Sequence, residues 1–275
     1  MGNLWKGFKE HRTFRFTSLL GILLIALVVL APVIAPYNPL EAVMKDANQA
    51  PSMAHLFGTD KLGRDVLSRI LYGGAYSLSS VLALVAIIFC VGTFLGLVAG
   101  YFGGLIDTVI MRIADMMISF PGVILAIAIA GIMGGSLVNA MIALTAVTWT
   151  KYARLSRSMV LKIRKRDFVD AAIVSGGTSS HILWTHIMPN VVPILVITAV
   201  SDIGAMMMEL AGLSFLGFGS QPPAPEWGLM LNEGRQQLQT APWLMVFPGL
   251  AIFISVVIFN LWGDALRDVL DPRDQ

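Results

Sequence analysis

A chain of 275 residues that is 56% hydrophobic and only 13% charged, with a mean hydropathy of +0.75, is too apolar for a soluble domain. It reads as an all-α, polytopic integral membrane protein. The formal charge of +2 is small and divided among loops, so nothing supports nucleic-acid binding; what the cations report is topology.

Lys6, Lys9, Arg12 and Arg15 precede an uncharged run over residues 17–36, the pattern of a first span whose N-terminus stays in the cytoplasm. The run is as long as a full span and lacks a small-residue cleavage site, so an uncleaved first helix is expected. Pro36, Tyr37, Asn38 and Pro39 end it and open a polar outer stretch reaching to about Gly74. Within that stretch Gly58, Gly63 and Arg64 superficially echo a phosphate-binding loop. Such a loop needs Lys and then Ser or Thr after the second glycine, and here Arg64 and Asp65 stand there. The opposite charges at Asp65 and Arg69 suit a short helix lying near the membrane surface.

Residues 73–106 hold no charge, and a second span over about 75–100 returns the chain to the cytoplasm. Gly92, Gly96 and Gly100, four apart, predict close approach of another helix. Its single cysteine, Cys90, lies in this run and can form neither an intramolecular disulfide nor a Cys-X-X-Cys metal site. Span three begins near Asp107, where Arg112 and Asp115 are spaced for a mutual ion pair and Pro121 predicts a kink. Gly134-Gly135 divides the uncharged stretch 116–150 into spans three and four, joined by a tight outer turn.

Lys151, Arg154, Arg157, Lys162, Arg164, Lys165 and Arg166 crowd the end of span four and place the following loop in the cytoplasm. That loop, residues 162–189, reads as a short helix without Pro or Gly over 166–175, a stop at Gly176-Gly177, and a new helix with Pro189 in its first turn. Phe168, Ala171, Ala172 and Ser175 share one face, an aromatic anchor among small side chains fit for docking or for a plain solvated linker.

Span five covers about 190–212 and carries Asp202, Met206 and Glu209 on one face. Ionisable groups in mid-membrane cost about 2.5–3.5 kcal/mol each on insertion scales, so this face is a candidate lining for a cationic solute's path as well as a candidate structural contact. No histidine falls inside a predicted span, which disfavours a dedicated metal site. A Gly/Pro-rich outer segment, SFLGFGSQPPAPEWG, precedes span six at about 241–263, and the chain ends inside. Both termini are thus cytoplasmic, with about six transmembrane helices: an N-terminal segment 1–74, a core 75–266 and a tail 267–275. There is no Walker lysine loop and no nucleophile–base set, so any energy for transport comes from a partner and the chain is not itself an enzyme.

Asp170-Ala171-Ala172, Gly176 and Met188-Pro189 sit at the spacing of the EAA motif, and here the chain resembles the permeases of binding-protein-dependent ABC importers. It departs in Asp170 for the usual Glu, His186 where Ile is common and Met188 for Leu. The strings GTDKLGRDVLSR, SFLGFGSQPPAPEWG and NLWGDALRDVLDP extend the likeness from about His55 to the C-terminus, toward the second permease subunit of peptide, opine and nickel importers. The resemblance implies a type I ABC importer transmembrane domain with an extra N-terminal helix, in a bacterial inner membrane. By it, Arg166, Phe168, Asp170, Ala171, Ala172, Gly176 and Pro189 form a coupling helix on an ATPase. The implied partners are a second homologous permease, two cytoplasmic ATPase subunits, an extracytoplasmic solute-binding protein and surrounding lipid. ATP and Mg would belong to the ATPases, with no cofactor on this chain. Asp202-Ile203-Gly204 leans toward nickel permeases and QPPAPEWG toward dipeptide permeases. A stand-alone secondary transporter or channel for a small cationic solute is the alternative; it would show inverted repeats, whereas one EAA-like loop is present.

Overall fold

A computed structural model describes residues 11–270. Among these, the chain is helical apart from loops and one isolated bridge between Thr59 and Asp65. The long helices are α1 (Arg12–Val29, continued by the single turn α2, Ala31–Ile34), α3 (Val66–Phe102), α4 (Gly104–Ile118), α5 (Gly122–Met133) and α6 (Leu137–Ile163). There follow the short α7 (Asp167–Val174), α8 (Ser179–Phe215), the short α9 (Trp227–Gly234) and α10 (Trp243–Leu270).

Among the described residues four helices, α1, α3, α8 and α10, are long and apolar enough to cross a bilayer, and α4 with α5 passes the same test as a pair bent by 93° at the break that holds Pro121, the form of a broken span or a re-entrant loop. The expected kink is therefore a near right angle. α6 is long enough too, but Lys151, Arg154, Arg157 and Lys162 occupy its second half. At 37 residues α3 runs about 55 Å, well beyond a hydrocarbon core of about 30 Å. It begins at Val66, inside the stretch expected to be an outer loop.

The helices gather into two compact units. The first takes residues 11–83, 129–142 and 200–270. In it α1 lies on α10: Phe14 is buried among Ala265, Leu266 and Val269, and the Trp262 indole donates to Ser18 Oγ at 3.1 Å. α8 touches α10 closely, since a Cβ on Gly204 would fall 2.3 Å from Asn260 Oδ1 and one on Gly263 2.8 Å from Ser201 Cα.

In the first unit the charges of residues 60–69 are not on a surface helix. Asp60 to Arg64 form a turn, and Asp60, Arg64, Asp65 and Arg69 are all buried. Asp65 caps α3 instead of pairing with Arg69: its Oδ2 accepts from Ser68 N at 2.8 Å and Ser68 Oγ at 2.7 Å, and its Oδ1 lies 2.9 Å from His55 Nδ1.

The second unit takes residues 84–128 and 143–199. The glycine stripe of α3 meets α6 here. A Cβ on Gly92 would lie 2.5 Å from the Trp149 carbonyl, and one on Gly96 2.3 Å from that of Ala153, so backbone packs directly on backbone. The expected pair of Arg112 with Asp115 does not form. Asp115 meets Arg154 of α6 at 2.5 Å, and Arg157 forks onto both oxygens of Asp107. A partner on the adjacent helix offers planar two-point geometry that a neighbour three residues along the same helix cannot.

Candidate functional site

The turn between α6 and α8 is built from local rules. Arg166, in an extended conformation, precedes α7, and Asp167 and Asp170 put negative charge at its positive end. α7 stops in a Schellman arrangement. Gly176 has φ +81°, its N–H donates to Ile173 O, and Gly177 N–H donates back to Ala172 O, both at 3.0 Å. Thr178 caps the next helix through His181 N at 3.3 Å.

α7 has one buried foot. Val169 is fully buried, whereas Phe168 is 44%, Ile173 51% and Val174 87% exposed. Arg166, Asp170, Ala171, Ser175 and Gly176 are exposed too, and Ala172 is half-buried. The structure brings the expected face together but rotates Ala172 partly inward. It also adds Ile173 and Val174 to the bare apolar surface. Sequence spacing missed Val169 as the anchor, because in eight residues no full apolar period develops.

Pro189 is the second residue of the α-helical stretch Met188–Phe215, as its first-turn reading expects, but that stretch continues directly from a π-helical turn. The proline is exposed and lies eleven residues into α8, which starts at Ser179. Residues Ile182–Ile187 make a π-helical turn in which Met188 N–H reaches Leu183 O. The wider turn precedes the proline, whose ring excludes the usual bond to Thr185 O. Pro193 repeats the omission one turn later.

In the first unit, Met206 is buried and Asp202 and Glu209 are half-buried on α8. The three share one helical face, at offsets of four and seven residues.

A second cluster of that unit was not foreseen. Arg64 Nε donates to Asp60 at 2.6 Å, Arg64 Nη2 to both oxygens of Glu233 at 3.2 Å, and Arg69 Nη2 to Glu233 at 2.9 Å. Glu233 ends α9. The N-terminus of α9 is held by Glu226, which accepts from Gly228 N and Leu229 N at 2.8 Å and from Ser77 Oγ at 3.4 Å. Burial pushes the Glu226 carboxyl above the usual range, against the pull of these donors. The Trp227 indole donates to Ile70 O at 2.9 Å. α9 is thus riveted at both ends to the start of α3. No sequence signal joins Arg64 to Glu233, 169 positions away.

The signature of the family "binding-protein-dependent transport system inner membrane component" matches residues 92–273, more than half of the chain. The chain belongs to this family. Residues 1–51 of the permease also match the N-terminal transmembrane domain of oligopeptide transport permease C. It is 42% identical to the glutathione transport system permease protein of Pectobacterium atrosepticum, covering 98% of this chain and 90% of that one. It is also 42% identical to the dipeptide transport system permease protein of Alkalihalophilus pseudofirmus, with the same coverage. The nickel transport system permease protein of Escherichia coli is again 42% identical, over 94% of this chain and 95% of that one. A chain of the MetNI methionine ABC transporter in an inward-facing conformation matches with a TM-score of 0.53 at 20% identity, covering 72% of the permease and 96% of that chain. The permease is therefore an all-α, multi-pass membrane protein with the ABC importer fold, and a transport subunit.

Proposed function

We propose that this permease forms half of a translocation path for a small peptide or a nickel or other metal chelate. A second homologous permease forms the other half, an extracytoplasmic solute-binding protein delivers the solute, and two cytoplasmic ATPases supply the energy. ATP and Mg are used on those subunits, and this chain binds no cofactor. The relatives' names, which refer to glutathione, dipeptide and nickel transport, support this substrate class.

The observation that carries the reading is α7: a short helix footed on Val169 that leaves Phe168, Ile173 and Val174 open to contact. Such a surface suits a groove on a partner. Closing of the ATPases pushes α7, and the push reaches the spans through the continuous helix α8. Asp202, Met206 and Glu209 line the path and favour a cationic group. The cation-rich end of α6 and the basic start of α1 support a cytoplasmic side for α7 and both termini.

Cysteine cross-linking tests the reading. With Cys90 replaced by Ala, a cysteine at Val174 should join the ATPase in the assembled complex, and one at Met53 should not. Equal joining at both positions would remove α7 from its coupling role.

A further inference from the structure

A groove of about 460 Å³ opens at the membrane face reached by the C-terminal end of α1, in the first unit. Pro32, Ala35, Tyr37, Asn38, Tyr72 and Tyr76 are among the residues that line it, and no acid or base does. Its depth follows from two separate helices. The uncharged run through α1 and α2 ends at Leu40, before Glu41, and the uncharged part of α3 begins at Ile70, after Arg69. The lining therefore stands where hydrocarbon gives way to headgroups, the level at which tyrosine is favoured. Val29 and Val33 beside it are 68% and 80% exposed.

The polar atoms of the lining include three groups of donors without a partner among the described residues, on Tyr72, Tyr76 and Asn38. Tyr37 is fixed, its N–H on Ser68 Oγ at 3.1 Å, its hydroxyl on Ala54 O at 2.8 Å and its ring 4.8 Å from that of His55. By contrast, the hydroxyls of Tyr72 and Tyr76 make no hydrogen bond among the described residues. Asn38 uses its Oδ1 on Leu40 N at 3.0 Å, which leaves its Nδ2 hydrogens free.

We infer that this groove holds the headgroup of a zwitterionic phospholipid, phosphatidylethanolamine. The phosphate would take hydrogen bonds from Tyr72, Tyr76 and Asn38, and the ammonium would lie over tyrosine faces. A site for an anionic headgroup would carry Lys or Arg, and this one has none.

The test uses the assembled transporter in nanodiscs of equal phosphatidylethanolamine and phosphatidylglycerol, re-extracted in detergent and weighed by native mass spectrometry. One phosphatidylethanolamine per copy of this chain should survive extraction. The double variant Tyr72→Leu/Tyr76→Leu should lower its retention by about fivefold, and Tyr72→Phe/Tyr76→Phe, which keeps the rings, by less. Asn38→Asp, which sets an acid against the phosphate, gives the same reading should the leucine variant fail to assemble. Equal retention of phosphatidylglycerol, unchanged retention in Asn38→Asp, or cross-linking of a photoreactive residue at position 76 to protein rather than lipid would overturn the inference.

Discussion

Glu233 is the carboxylate on which two buried guanidiniums, Arg64 and Arg69, depend. Glu233→Ala should destabilise the assembled permease by up to about 3–5 kcal/mol, because it leaves two buried guanidiniums with Asp60 as their one remaining carboxylate partner in the cluster. Thermal unfolding in detergent measures this, and a loss no larger than that of an exposed acid such as Glu41→Ala would contradict it. Glu226 gives a pH dependence. Its carboxyl titrates higher in the folded protein than in an unfolded chain, so its contribution to stability is fully present below the ordinary carboxyl range and is lost as pH rises through the raised value. Glu226→Gln should flatten that part of the unfolding-versus-pH curve. Neither residue stood out in the sequence. Charges were legible where they crowd one end of a helix, as Lys151 to Lys162 do on α6. They were not legible where the partner is remote, as Glu233 is from Arg64, or where a helical neighbour looked the better match, as Arg112 did for Asp115.

Helices were legible in proportion to their length and freedom from charge. The uncharged runs gave α1, α3 and α10, Gly134 with its φ of +87° ends α5 where a turn was expected, and Gly176 ends α7. What the pattern could not give was the π turn before Pro189, since a proline preceded by a wide turn and one that opens a helix look alike in sequence. Helix packing is tight where glycine allows it. Gly96→Val should cost about 1–3 kcal/mol through overpacking against Ala153, read as lowered yield of folded permease. On α7, Phe168→Asp or Val174→Asp should sharply lower solute-stimulated ATP hydrolysis while membrane insertion stays unchanged. Normal stimulation in both variants would separate α7 from energy transfer. On α8, Asp202→Asn with Glu209→Gln should lower uptake at an unchanged amount of assembled complex, and unchanged uptake would make that face structural.

For the molecule as a whole, membership of the binding-protein-dependent permeases accounts for features that single segments leave unexplained. On the proposed function, the exposed apolar side chains of α7, the carboxylate-bearing face of α8 and α9 riveted to α3 are parts of a gate whose power source lies on other chains. The chain's own chemistry agrees, in that its charged clusters Asp60–Arg64–Arg69–Glu233 and Asp107–Arg157 tie helices together. The most direct measurement is solute accumulation in proteoliposomes holding the complete complex with its binding protein outside. Accumulation should require ATP and Mg on the ATPase side and stop when the ATPases are omitted. Accumulation by the permease alone, driven by an ion gradient, would contradict the account.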